Sequence, residues 1–231
     1  MCEDEVTKKH FVIIADFIDS KKIDNRYETQ EILKKKLNNI NRRYKDDITS
    51  AFSIGQGDEF QANLNKVDNI LLIIHELLTS FKGVDIRFGI GYGSLKTKYY
   101  KTTAFRSDGE AWYLARRAID EIKKHNAKKV QYKLANYRFR TSKDETSKVS
   151  FINAVIDNSF LIYNDWTLTQ KNVAKILFET YGFSDEFVQK EAAKKIKTTN
   201  QNLNKTLKSM KYYHYINFLR VLNEELKKVF I

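Results

Sequence analysis

Asp16 lies near the end of an apolar run, His10–Phe17 (HFVIIADF), and Asp58 sits in the Gly57-Asp58-Glu59-Phe60 turn between two further strand-like segments. Carboxylates at the ends of neighbouring strands can converge on a hard cation. Mg²⁺ or Mn²⁺ would then keep water or phosphate in its remaining positions. Asp19, just beyond the first run, is a third candidate ligand. Glu59 points to the opposite side if the chain is extended there. The same aspartates also suit a plainer role, because Asp is a common turn former at strand ends. Farther along, Trp112 and Tyr113 can either stack on a base or belong to a core. Arg117 can either reach a phosphate or point into solvent. Arg116 and Arg117 diverge by about 100° on a helix, so only one can face a site. His10, His75, His125 and His214 have no metal-ligand spacing, and neither a Ser-His-Asp arrangement nor a P-loop is present.

A further group lies near the C-terminal end. Phe187–Ile196 and Gln201–Met210 read as two short helices joined by Lys197-Thr198-Thr199-Asn200. Ala192 and Ala193 permit close helix contact, while Ile196, Leu203 and Leu207 have core spacing. This is a helix-turn-helix pattern, although an ordinary helical bundle with a basic face would read alike. Its second helix offers Thr199, Asn200, Gln201, Asn202, Asn204, Lys205 and Lys208. Asn and Gln can pair with adenine, and Lys can reach guanine or phosphate. Between Asp185 and Lys211, seven lysines oppose Asp185, Glu186 and Glu191, a net of +4 suited to a DNA backbone.

The elements that must position these groups follow from periodicity. Strands are expected over His10–Phe17, Ile48–Ile54, Glu59–Leu64, Ile86–Gly93 and Tyr132–Thr141. Helices are expected over Glu28–Tyr44, Val67–Phe81 and Glu110–His125. The glycines of Ile86–Gly93 (IRFGIGYG) suggest close backbone approach. The β-α-β-β-α-β-α-β order predicts an α+β, ferredoxin-like split βαβ domain, its antiparallel sheet covered by helices on one face. The polar stretch Thr141–Ser150 reads as a linker, giving domains 1–145 and 146–231. Beyond it, helices are expected over Phe151–Tyr163, from an N-cap at Thr167 or Thr169 to Tyr181, and over Asp185–Ile196, Asn200–Met210 and Tyr213–Phe230. Gly182 ends the second of these. Tyr213–Phe230 suits either core closure or dimerisation.

Composition bounds the function. Forty-two per cent hydrophobic and 13% aromatic residues in 231 support a packed core. A net charge of +12 favours polyanionic partners. The single cysteine, Cys2, excludes a disulfide framework within one chain. No apolar run is long enough for a membrane span, and Met1–His10 lacks the apolar core of a signal peptide. A cytoplasmic protein with no membrane partner is expected. Proline is absent, so turns rely on Gly, Asn, Asp and Ser.

The blocks VIIADFIDS, SIGQGDEF, IRFGIGYG and DGEAWYLARRA, in that order, resemble the SatD family of bacterial proteins over nearly the whole chain. More distantly they are similar to the class III nucleotidyl cyclase catalytic domain. That resemblance implies metal ligation by Asp16 and Asp58. It also implies a nucleotide site using Gly109 and the phosphate-stabilising Arg117, with Tyr113 standing where the cyclases have asparagine. Ile54 falls at the purine-reading position. The resemblance therefore implies a pocket for a purine nucleotide with Mg²⁺ or Mn²⁺ more than it implies cyclisation. SatD-like proteins imply a C-terminal helix-turn-helix of the sigma-factor region 4 type. The combined expectation is a homodimeric DNA-binding regulator. The rivals are a metal-dependent nucleotidyl cyclase or nucleotidyltransferase, and an N-terminal domain that serves only dimerisation.

Overall fold

The computed structural model describes residues 8–55, 57–128, 132–142 and 147–230. The order is β1 (Lys9–Phe17), α1 (Arg26–Arg43), β2 (Ile48–Ile54), β3 (Phe60–Leu64), α2 (Ile70–Leu78), β4 (Ile86–Ser94), α3 (Glu110–Asn126) and β5 (Tyr137–Thr141). Then follow α4 (Ser147–Asn164), α5 (Leu168–Tyr181), α6 (Gln189–Ile196), α7 (Asn200–Ser209) and α8 (Tyr212–Phe230). The boundary expected at 145/146 and Cys2 both lie outside the described residues. Among the described residues, no helix is long and apolar enough to cross a membrane.

The sheet runs β2-β3-β1-β4-β5. Strands β1 to β4 pair antiparallel, and β4 pairs with β5 in parallel. The sheet is therefore mixed, not antiparallel throughout as the sequence suggested. Parallel neighbours need a crossover, which α3 supplies. A second correction follows from the same helix: the sheet is covered on both faces. Phe11, Ile13, Ala15 and Phe17 of β1 enter one apolar cluster with α1, α2 and the C-terminal helices. Val12 and Ile14 enter another, with Ala111, Trp112, Ala115 and Ile119 of α3. A central strand buried on both faces reads as a continuous apolar run, so its sequence does not disclose which helix lies where.

The glycines of β4 hold α3 against the sheet. A Cβ on Gly89 would lie 2.1 Å from the Ala115 carbonyl oxygen, and one on Gly91 would lie 2.1 Å from that of Ala111. Only bare backbone admits the helix so closely. This approach fixes the face of α3 that meets the sheet, and with it the directions of Arg116, Arg117 and Lys123.

The segments on either side of residue 145 share one apolar cluster. Phe230 of α8 packs against Phe11, Tyr92 and Phe139 of three strands, and Tyr163 donates to the Leu78 carbonyl at 3.0 Å. Charge reinforces the junction, since Lys36 of α1 pairs with Glu76 of α2 at 3.0 Å and Glu179 of α5 at 2.6 Å. Asn153 of α4 accepts from the Phe139 amide and donates to its carbonyl, both at 3.0 Å. That side chain thereby occupies hydrogen-bonding groups on edge strand β5.

Candidate functional site

At the end of β1, Asp16 is buried, and both its oxygens are taken. Oδ1 accepts from Arg87 Nε of β4 at 2.6 Å, and Oδ2 lies 2.6 Å from Lys123 Nζ of α3. The antiparallel register pairs Ala15 with Phe60, so the next residues, Asp16 and Glu59, adjoin across the strands. Both turn toward α3, where Glu59 receives Arg116 through two bonds of 2.6 and 2.8 Å. That bond is the main cause of the raised Arg116 pKa.

Neither of the other two expected metal ligands shares the ion pairs of Asp16. Asp58 sits in the turn before β3, partly exposed, with no ion pair among the described residues. Asp19 lies beyond β1 in the left-handed region (φ 53°), exposed and paired with Lys22 at 2.8 Å. That contact lowers the Asp19 pKa. Among the described residues, no group of three His, Cys, Asp or Glu side chains is placed to hold a metal ion. With Asp16 neutralised by two cations, these residues as arranged do not fit Mg²⁺ or Mn²⁺.

The nucleotide candidates lie elsewhere on α3. Tyr113 and Arg117 line a cleft of about 480 Å³ with Glu110, Leu114, Arg140, Thr141 and Ser142, between α3 and the end of β5. Arg117 is exposed and makes no hydrogen bond or ion pair among the described residues. Tyr113 donates to Asp108 at 3.1 Å, which raises its pKa, and Lys96 Nζ lies 5.9 Å from its ring centre. Gly109 caps the start of α3, where a Cβ would meet the Ser94 carbonyl oxygen at 2.6 Å. Its position serves close packing and does not line the cleft. Trp112 points into the core and donates to Gln61 at 3.1 Å.

At the other end of the chain, α6 and α7 are joined by a tight turn. Lys197 adopts the left-handed conformation (φ 61°), and the Thr198 amide reaches back to the Ala193 carbonyl at 2.9 Å. This is a Schellman-type stop. Thr199 then caps α7 by accepting from the Asn202 amide at 3.1 Å. Leu203 and Leu207 are buried, as are Ala192 and Ala193 of α6. Thr199, Asn200, Gln201, Asn202, Lys205 and Lys208 are exposed, and Asn204 is half-buried.

A family-wide comparison then decides the affiliation: the profile described as SatD family matches residues 10–224. The chain belongs to the SatD family. A search of curated proteins finds no match.

In this SatD-family chain, reasoning from sequence brought Tyr113 and Arg117 together but missed the partners of Asp16. Arg116 and Lys123 stand seven residues apart, so they share a helix face, and that spacing was legible. Arg87 was not, because its approach to Asp16 depends on the pairing of β1 with β4.

Proposed function

We propose that this SatD-family protein binds DNA through α6 and α7, with α7 as the reading helix. The observation carrying this reading is the outward face of α7. Asn200, Gln201, Asn204, Lys205 and Lys208 have side chains uncommitted to the rest of the described protein, while Leu203 and Leu207 seat the helix from behind. A short helix, a tight turn and a capped second helix suit a helix-turn-helix. The surrounding lysines suit a polyanion. Such modules usually read symmetric sites in pairs, so the reading carries a homodimer with it.

The test is fluorescence anisotropy of the full chain on duplex DNA across a salt series. Affinity is expected to fall steeply with salt, and Lys205→Ala and Lys208→Ala should each reduce the log–log slope by about 0.9, one phosphate contact. Binding that ignores salt, or that both variants leave unchanged, would refute it.

A second reading concerns the N-terminal sheet, whose β2-β3-β1-β4 order and directions suit a split βαβ, ferredoxin-like core. Its α3–β5 cleft, with an uncommitted Arg117 beside Tyr113, favours a phosphorylated ligand such as a purine nucleotide. Thermal unfolding with ATP, GTP and cyclic nucleotides tests this. A stabilising shift is expected in wild type and not in Arg117→Ala, and no shift with any of them counts against it.

A further inference from the structure

At the strand ends beneath α3, acids and cations are matched with little left over. The Asp16 carboxylate is held between Arg87 and Lys123, and Glu59 is held bidentately by Arg116. Side-chain exposure is only 12% for Asp16 and 19% for Arg87, so this pairing is partly sheltered from water. Arg116 and Lys123 project from one face of α3, two turns apart, toward Glu59 just before β3 and Asp16 at the end of β1. A divalent ion at Asp16 would have to displace an ammonium and a guanidinium that already lie at 2.6 Å. If it bound beside them, it would meet two like charges at close range.

We infer that Arg87, Arg116 and Lys123 are resident counter-ions at the place where the sequence led to a divalent ion being expected. The strand-end site thus needs no metal, and its acids clasp β1 and β3 to β4 and α3. Two constraints deliver the three cations. Cross-strand register supplies Arg87, since Asp16 pairs directly with it. The glycine-floored packing of α3 supplies the other two. The clasp holds one more cation than it has acids, so a divalent ion finds no charge to neutralise there, and adding or removing one changes nothing in it.

The full chain can be titrated with Mn²⁺, following loss of the free-ion paramagnetic resonance signal, alongside thermal unfolding of Asp16→Asn, Lys123→Met and the double variant. Wild type and Asp16→Asn are expected to take up the same small amount of Mn²⁺ at millimolar concentration. Each single variant should unfold at a lower temperature, by the same shift in EDTA and in Mn²⁺. The double variant should lose several-fold less in folding equilibrium than the two single losses combined, as contacting partners do. Saturable Mn²⁺ uptake by wild type that Asp16→Asn abolishes would overturn the inference, as would strict additivity. If Asp16→Asn does not fold, Lys123→Met decides the matter: a lower unfolding temperature is expected, and an unchanged one overturns the inference.

Discussion

His75 is fully enclosed, with Nδ1 2.7 Å from the Leu71 carbonyl oxygen and Nε2 2.8 Å from the Tyr215 hydroxyl. A carbonyl only accepts, so Nδ1 carries the proton, and the neutral ring takes the tyrosine hydrogen on Nε2. Rings of Tyr137, Phe178 and Phe183 close around it. Burial lowers its pKa to about 4, against an opposing contribution from the Leu71 bond. The unfolded chain therefore takes up a proton below about pH 6.5 that the folded chain refuses. Stability is full above that pH and falls as pH drops toward 4, by up to about 3 kcal/mol. Urea midpoints measured from pH 7 to pH 5 should decline in wild type and decline less in His75→Phe. His10, whose pKa burial also lowers, adds a smaller slope of the same sign.

Among the elements, α3 depends most visibly on what its neighbour lacks. Gly91→Ala would drive a methyl to 2.1 Å from the Ala111 carbonyl oxygen and 2.4 Å from the Ala115 amide nitrogen, both backbone atoms that cannot rotate away. The expected loss is about 3 kcal/mol or more, read from chemical denaturation. The close approach itself was legible, since glycines alternating along an apolar strand have few other uses. The side of the sheet was not, because Phe11 through Ile14 are apolar without alternation. Helix ends marked by local chemistry were the most readable. Thr167 forms a capping box with Gln170, and Gly182 stops α5 with φ 61°. Where tertiary packing decides, the pattern misled. Ile32 shares the apolar period of α1 yet is 42% exposed, while Leu33, Leu37 and Ile40 carry the contact.

For the molecule as a whole, the shared cluster predicts one cooperative transition. The chain has two tryptophans, Trp112 on α3 and Trp166 between α4 and α5. Fluorescence of Trp112→Phe and Trp166→Phe thus reports each part separately. Allowing for each variant's own stability, both probes should agree with circular dichroism, and two separated transitions would contradict the prediction. Sequence divided the chain by composition at the polar stretch after β5. It could not reveal that α8 returns to the first strand, because nothing in an amphipathic helix names its partner. The site divided in the same way. The outward residues of α7 could be read from helical spacing and the pair Tyr113 and Arg117 from the resemblance to the cyclase helix, whereas the partners of Asp16 needed three elements in register.

The contact between Phe11 and Phe230 has a consequence for how the protein is made. At roughly 5–20 residues per second, a ribosome needs some tens of seconds to get from one to the other. Throughout that interval, the face of β1 that α8 will cover is present without its cover. A nascent chain in this condition offers apolar surface to chaperones, and to its neighbours on the same messenger. Transcripts truncated ahead of α8 should accordingly yield aggregates in the cell, even though every strand of the sheet has been synthesised.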